Sequence, residues 1–279
     1  MTEILCGRFK LKVDRPLVMG IVNLTPDSFS GDGLSSDVDR AVDHAHRQFE
    51  AGADILDLGA ESSRPGAVPT PLQEELDRLL PVLERISGWG VPISIDTYKP
   101  EVMAEALAAG ADMINDISGF RDRRALEAVV DSNCGLCLMH MLGEPRTMQQ
   151  QPVYDDVVAD VRGYLSRQVA ECLQAGVARG RIVVDPGFGF GKTVEHNLAL
   201  FRGLPEFVAD GFPVLVGVSR KAMLGAITGR PVEERVSASV STALLAAQRG
   251  AAILRVHDVA ETKDALAIWA AIEKGEKNV

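Results

Sequence analysis

Eight times along the chain a short apolar run stops at a polar or turn-forming end, opens into a loop and leads into a helical stretch. Ile182-Val-Val-Asp185 is the plainest case. Three β-branched residues read as a buried strand, Asp185 ends it, and Pro186 forbids its continuation. The other runs are 17–23, 55–59, 92–96, 113–116, 136–140, 213–218 and 252–257. Helical patterns follow at 37–52, 71–87, after the loop 97–100 as far as Gly110, and at 122–131, 154–175, 194–209, 232–249 and 260–272. The strands lack alternation, as strands covered on both faces do. Eight strand-then-helix units in about 260 residues predict an α/β fold, a (β/α)8 TIM barrel. Residues 3–13 alternate apolar and polar and add a short N-terminal β-hairpin. A doubly wound open sheet would want Gly-x-Gly-x-x-Gly after the first strand, where this chain has Asn23-Leu-Thr-Pro. No linker divides the chain, so 1–279 reads as a single domain.

The net charge of −10 and pI near 5.1 argue against a broad nucleic-acid surface or an acidic-membrane surface. Met1 to Lys10 holds no apolar signal core, and no run is long enough to span a bilayer. The expectation is a cytoplasmic protein without nucleic-acid or membrane partners. Cys134-Gly-Leu-Cys137, with His140 beyond, looks like half a zinc site, but no second ligand pair follows. Cys137 lies within an apolar run and reads as a small buried side chain. His44 and His46 are two apart, do not share a helix face, and read as solvated. Gly191-Lys192-Thr193 ends like a phosphate loop, but the glycine that opens that motif would stand where the chain has Pro186.

In such a barrel the active site gathers at the C-terminal strand ends. These offer Asn23, Asp57, the Ser63-Arg64 loop, Asp96, Asn115, Met139, Asp185, Ser219-Arg220-Lys221, and Arg255 with His257. Period two puts Ser94 with Asp96, Asn115 with Ile117, Val183 with Asp185, and Arg255 with His257. Asp96, Asn115 and Asp185 supply many acceptors and one amide donor, a set for a flat polar heterocycle with ring N–H groups. Lys221 reaches that ring from the side. A Schiff-base role for Lys221 is disfavoured, because it stands past its strand beside Arg220. Arg255 and His257 suit a phosphate group, and the carbonyl oxygen of Asn23 suits Mg²⁺.

Read together, these stretches resemble dihydropteroate synthase of the folate pathway, a pterin-binding family. Met19-Gly-Ile-Val-Asn-Leu-Thr-Pro-Asp-Ser-Phe-Ser30 and Gly59-Ala-Glu-Ser-Ser-Arg-Pro-Gly66 look like its two signatures. Asp96-Thr-Tyr-Lys-Pro-Glu101, Asn115-Asp116, Asp185-Pro-Gly-Phe-Gly-Phe190, Ser219-Arg-Lys221 and Arg255-Val-His257 follow in family order. The resemblance implies condensation of 6-hydroxymethyl-7,8-dihydropterin diphosphate with p-aminobenzoate, giving 7,8-dihydropteroate and pyrophosphate. It implies Asp96, Asp185 and Lys221 as catalytic groups. Asp96, Asn115, Ile117, Met139, Asp185, Gly217 and Lys221 would hold the pterin, and Asn23, Arg255 and His257 the diphosphate, with Asn23 on Mg²⁺. Ser63, Arg64, Pro65, Phe190 and Lys221 would shape the p-aminobenzoate side. It also implies a homodimer. Loops 24–35 and 60–70 would close over the reaction and exclude water. Two departures stand out: Gly31-Asp32-Gly33 where the family often has Asp-Gly-Gly, and Ala222 where it often has Ser. The alternatives are a barrel transferring a methyl group from methyltetrahydrofolate to a corrinoid protein, and a catalytically silent pterin-binding paralogue.

Overall fold

The computed structural model describes residues 2–25, 34–62 and 66–274. Strands β1 (Thr2–Cys6) and β2 (Phe9–Val13) form the expected antiparallel hairpin. Eight parallel strands follow: β3 (Leu17–Asn23), β4 (Ile55–Gly59), β5 (Ile93–Asp96), β6 (Met113–Asp116), β7 (Gly135–Met139), β8 (Ile182–Asp185), β9 (Leu215–Val216) and β10 (Ile253–Val256). They stand side by side in the order β8-β7-β6-β5-β4-β3-β10-β9. A parallel bridge between Val184 and Val214, with Val184 N–H donating to Pro213 O at 2.9 Å, joins the two ends and closes the barrel. The expected seventh strand, 213–218, pairs as a ladder only at Leu215–Val216. Pro213 has no N–H to give, so the barrel narrows to a single bridge there.

The helices are α1 (Leu34–Glu50), α2 (Leu72–Ile86), α3 (Pro100–Ala108), α4 (Arg123–Val129), α5 (Val157–Gln174), α6 (Val194–Arg202), α7 (Leu204–Ala209), α8 (Ala222–Thr228), α9 (Val236–Gln248) and α10 (Val259–Lys274). Three differ from expectation. The helix expected from Tyr154 begins at Val157, because the Asp156 side chain caps it from Val158 and Ala159 N–H. The single helix expected over 194–209 breaks at Gly203, since an unbroken helix would drive the Pro205 ring into the preceding turn. The stretch 232–249 opens as a 3₁₀ turn before α9, and α8, which the apolar pattern did not announce, stands between β9 and α9, stopped by left-handed Gly229.

Two apolar cores result. The larger lies between the strands and the surrounding helices. The second fills the lower barrel, where Leu17, Met19, Ile55, Met113, Cys137, Val183, Leu215 and Ile253 meet Ile4 and Cys6 of the hairpin. The hairpin is therefore the floor of the barrel, and only the other end is open. Burying one such side chain contributes roughly 1.5–3 kcal/mol. Among the described residues no helix is long and apolar enough to cross a membrane.

Asp54 ties the floor to the outer ring. It accepts from Arg15 at 2.6 Å, Lys263 at 2.8 Å and Val18 N–H at 2.8 Å. Burial pushes this carboxyl up, but those donors outweigh it and hold it below its usual value. Its contribution is present above the unfolded carboxylate pKa of about 3.9 and fades as pH falls through the folded one. Asp54→Asn is expected to destabilise the fold by about 1–3 kcal/mol at neutral pH. Thermal melts should show that deficit shrinking as the buffer is taken toward pH 3.

Candidate active site

Parallel register builds the barrel mouth. Asn23 stands opposite Gly59, Gly59 opposite Asp96, and Asp96 opposite Asn115, so four strands present one row. One step higher, Met139 stands opposite Asp185. A Cβ on Gly59 would lie 3.6 Å from Asp96 Cβ and 4.0 Å from Asn23 Oδ1, so this glycine keeps a gap between the two side chains. A Cβ on Gly217 would stand 3.7 Å from Arg255 Cβ and Cδ, so the Gly217 backbone lies against the Arg255 side chain. Ile117, Met139, Met141 and Met148, with Tyr98 and Phe190 against them, form an apolar wall beside the polar row.

Asp96 and Asp185 both act electrostatically on Lys221 and on Arg255. Burial pushes Asp96 up to about 7 against the pull of Arg255, and burial likewise raises Asp185 against Lys221 and the Gly187 N–H. That N–H lies 2.7 Å from Asp185 Oδ1. Burial lowers Lys221 to about 8, with Asp185 opposing the shift. Its ammonium donates to Phe188 O and lies 4.6 Å from the Phe190 ring centroid. Lys221 was expected in a loop past its strand; it is the N-cap of α8, with its side chain turned back into the mouth.

Arg255 was expected at a phosphate. In this structure its Nε donates to Asp57 Oδ2 at 2.6 Å and its Nη2 to Asp96 Oδ2 at 2.7 Å, so it also occupies the ring-binding corner. Asp57 is fully buried and lies 3.5 Å from Asn115 Nδ2. Burial alone would lower Arg255, but Asp57 and Asp96 together raise it. His257 Nδ1 lies 3.0 Å from Ser219 Oγ. Burial and then Arg255 lower it to about 3, so it offers a neutral N–H rather than a charge. Between Ser219 and Lys221, Arg220 takes a left-handed φ of 58° and turns away to pair with Asp258.

Several partners were not foreseen. Asp57 was noted as a strand end but not as the holder of Arg255. Its signal is its place two residues before Gly59, on the inward face. Lys99 bridges Glu61 and Glu75, while Tyr98 Oη and Thr70 N–H reach Glu61 Oε1 at 2.8 and 3.0 Å. This network fixes both ends of the 61–70 connection. His44 is not simply solvated: it is half-buried, 3.1 Å from Gln48 Nε2, which also donates to His257 O at 2.9 Å. Ser63, Arg64, Pro65 and Asp32 lie outside the described residues. Among the described residues no cluster of three metal-ligating His, Cys, Asp or Glu side chains occurs.

Comparison with known proteins agrees with this geometry. Residues 19–257 match the family model described as "Pterin binding enzyme". The dihydropteroate synthase of Neisseria meningitidis serogroup B is 51% identical over 273 residues, covering 95% of this chain and 96% of that one. The Burkholderia cenocepacia dihydropteroate synthase complexed with 7,8-dihydropteroate superposes with a TM-score of 0.90 at 54% identity, over 98% of this chain and 97% of the other. The Xanthomonas albilineans enzyme with 4-aminobenzoic acid does so with 0.92 at 50% identity, over 98% of each. A mouth of buried carboxylates, an amide and a lysine on a closed barrel, matched end to end at half identity, places this chain among the dihydropteroate synthases of the pterin-binding enzyme family.

Proposed function

We propose that residues 1–279 act as one pterin-binding domain that seats the pterin diphosphate over the Asp96, Asn115 and Asp185 row and receives p-aminobenzoate above it. The observation that carries this is the register row that sets Asp96 beside Asn115, with the buried Asp185 one step higher and an apolar wall beside them. Asp96 and Asp185 accept from the ring N–H and amino groups, Asn115 adds its amide, and Ile117 and Met139 lie against the ring faces. Gly217 belongs to the same site, its backbone against Arg255. Lys221 donates to the ring edge.

The C–O bond between the pterin methylene and the diphosphate breaks first, leaving a cation spread into the ring. Buried carboxylates stabilise that charge in a medium poor in water. The aryl amine nitrogen then attacks the methylene and loses a proton. Arg255 and His257 face the departing diphosphate. As the ring takes the acceptors of Asp96, Asp57 retains the Arg255 guanidinium. Asn23 stands at the same rim as Asp96 and carries a hard amide oxygen, so Asn23 would hold Mg²⁺. Bound there, Mg²⁺ would neutralise charge on the leaving group. Phe190 and Lys221, with Ser63, Arg64 and Pro65, make up the p-aminobenzoate side.

We place the enzyme in the cytoplasm, a setting that suits its four free, buried cysteines. A homodimer is supported by Leu245, Ile268 and Ile272 on α9 and α10, exposed by 44, 64 and 75%. Leu245→Glu should then lower the sedimentation mass from two chains to one, and an unchanged mass would remove that face from the interface.

Asp185→Asn should keep the fold and lose about 10²–10³ in kcat, read as p-aminobenzoate-dependent pyrophosphate release. Turnover at the parent rate would take Asp185 out of the mechanism. For the pterin substrate, kcat/KM should rise with pH through about 7 as Asp96 ionises and fall above about 8 as Lys221 loses its proton. In Lys221→Arg, initial rates across pH should lose the alkaline fall.

A further inference from the structure

Lys192 has no part in the chemistry above, yet only 3% of it is exposed. No carboxylate contacts it among the described residues. Its Nζ lies 2.8 Å from Gly187 O, 3.0 Å from Phe190 O, 2.9 Å from His140 Nδ1 and 3.3 Å from His140 O. An ammonium has three N–H donors, and here they are shared among three carbonyls and one imidazole nitrogen. A neutral amine would have two donors and would turn a lone pair toward an acceptor. The surroundings are therefore built for the charged form, although burial pulls Lys192 well below its usual pKa. His140 is neutral, lowered to about 3 by burial and by Lys192, and its Nδ1 accepts. The ring is held by Tyr164, edge-on at 4.9 Å.

Two of the carbonyls that Lys192 gathers, Gly187 O and Phe190 O, belong to the two ends of the turn 187–190. Gly187, Gly189 and Gly191 have φ of 70°, 80° and 67°, a conformation that glycine adopts readily and other residues do not. The turn presents Phe188 O to Lys221 and the Phe190 ring beneath the same ammonium. Its outer edge is tied separately, by Asn197 Oδ1 to Gly189 N–H, Gln149 Nε2 to Gly189 O and Tyr154 Oη to Gly191 O, at 2.7, 2.6 and 2.8 Å. Removing Lys192 would free the inner edge while the turn stays attached.

We infer that Lys192, seated on His140, is a positioning residue that sets the Phe188 carbonyl and the Phe190 ring, and through them Lys221, for the incoming aryl amine. The inference rests on the proposed assignment of Phe190 and Lys221 to the p-aminobenzoate side. Lys192→Met should raise the KM for p-aminobenzoate by about tenfold or more, while the Kd for the pterin diphosphate, which meets Lys221 only at its edge and is held mainly by Asp96, Asn115 and Asp185, rises by clearly less, about threefold. His140→Asn keeps an acceptor facing Nζ and should stay near the parent, whereas His140→Leu should reproduce Lys192→Met. Phe190→Leu tests the assignment beneath: an unchanged KM there overturns the assignment and this inference with it. A raised KM in Phe190→Leu with an unchanged KM in Lys192→Met overturns the inference alone, as does an equal loss of both substrates in Lys192→Met. If Lys192→Met does not fold, the two His140 variants decide, and equal KM values for them overturn the inference.

Discussion

Arg255 leaves the last strand with its guanidinium inside the barrel, where Asp57 and Asp96 hold it at 2.6 and 2.7 Å. Three charged groups in so dry a place are tolerable only as a set. Removing one leaves the others buried and uncompensated, a loss of several kcal/mol. The set also orients the site. With Arg255 drawn toward Asp57, Asp96 is aimed across the mouth, and Asn115 is kept in the same hydrogen-bonded group. The acceptors of the row depend on that one cation for their direction.

The layers above and below follow from it. Beneath, apolar side chains from the strands and the hairpin fill the barrel and keep water from the charges. Above, the methionine-rich wall and the Gly-rich turn give flat surfaces without new charge. Lys221 and Lys192 approach the same turn from opposite sides: one donates to Phe188 O, the other to Gly187 O and Phe190 O. The carboxylates thus lie between an apolar floor and a turn on which both lysines are held.

Much of this stratum was legible beforehand because it depends on local periodicity. A short apolar run that ends at Asp96, Asn115 or Asp185 fixes which residues point inward, and the barrel brings strand ends together. Asn23 and Arg255 were legible for the same reason. The pairing of Arg255 with Asp57 was not, because it joins residues 198 positions apart. Nor was the neutral state of His257, which comes from burial and a neighbouring guanidinium rather than from its own segment. Helix α8 escaped because seven residues carry too little periodicity to stand out, and the break at Gly203 because Pro205 acts only once a helix has begun. Lys192 resembled the end of a phosphate loop; its surroundings instead fold the backbone carbonyls around it.

The hairpin at the closed end has a consequence for traffic. Nothing can pass through the barrel, so reactants and products share one doorway. A ring seated against Asp96 and Asn115 lies at the dead end, with any later arrival stacked over it. With the ring seated as proposed, an aryl acid at the rim would stand between the bicycle and the doorway, so the two would exchange in turn rather than independently.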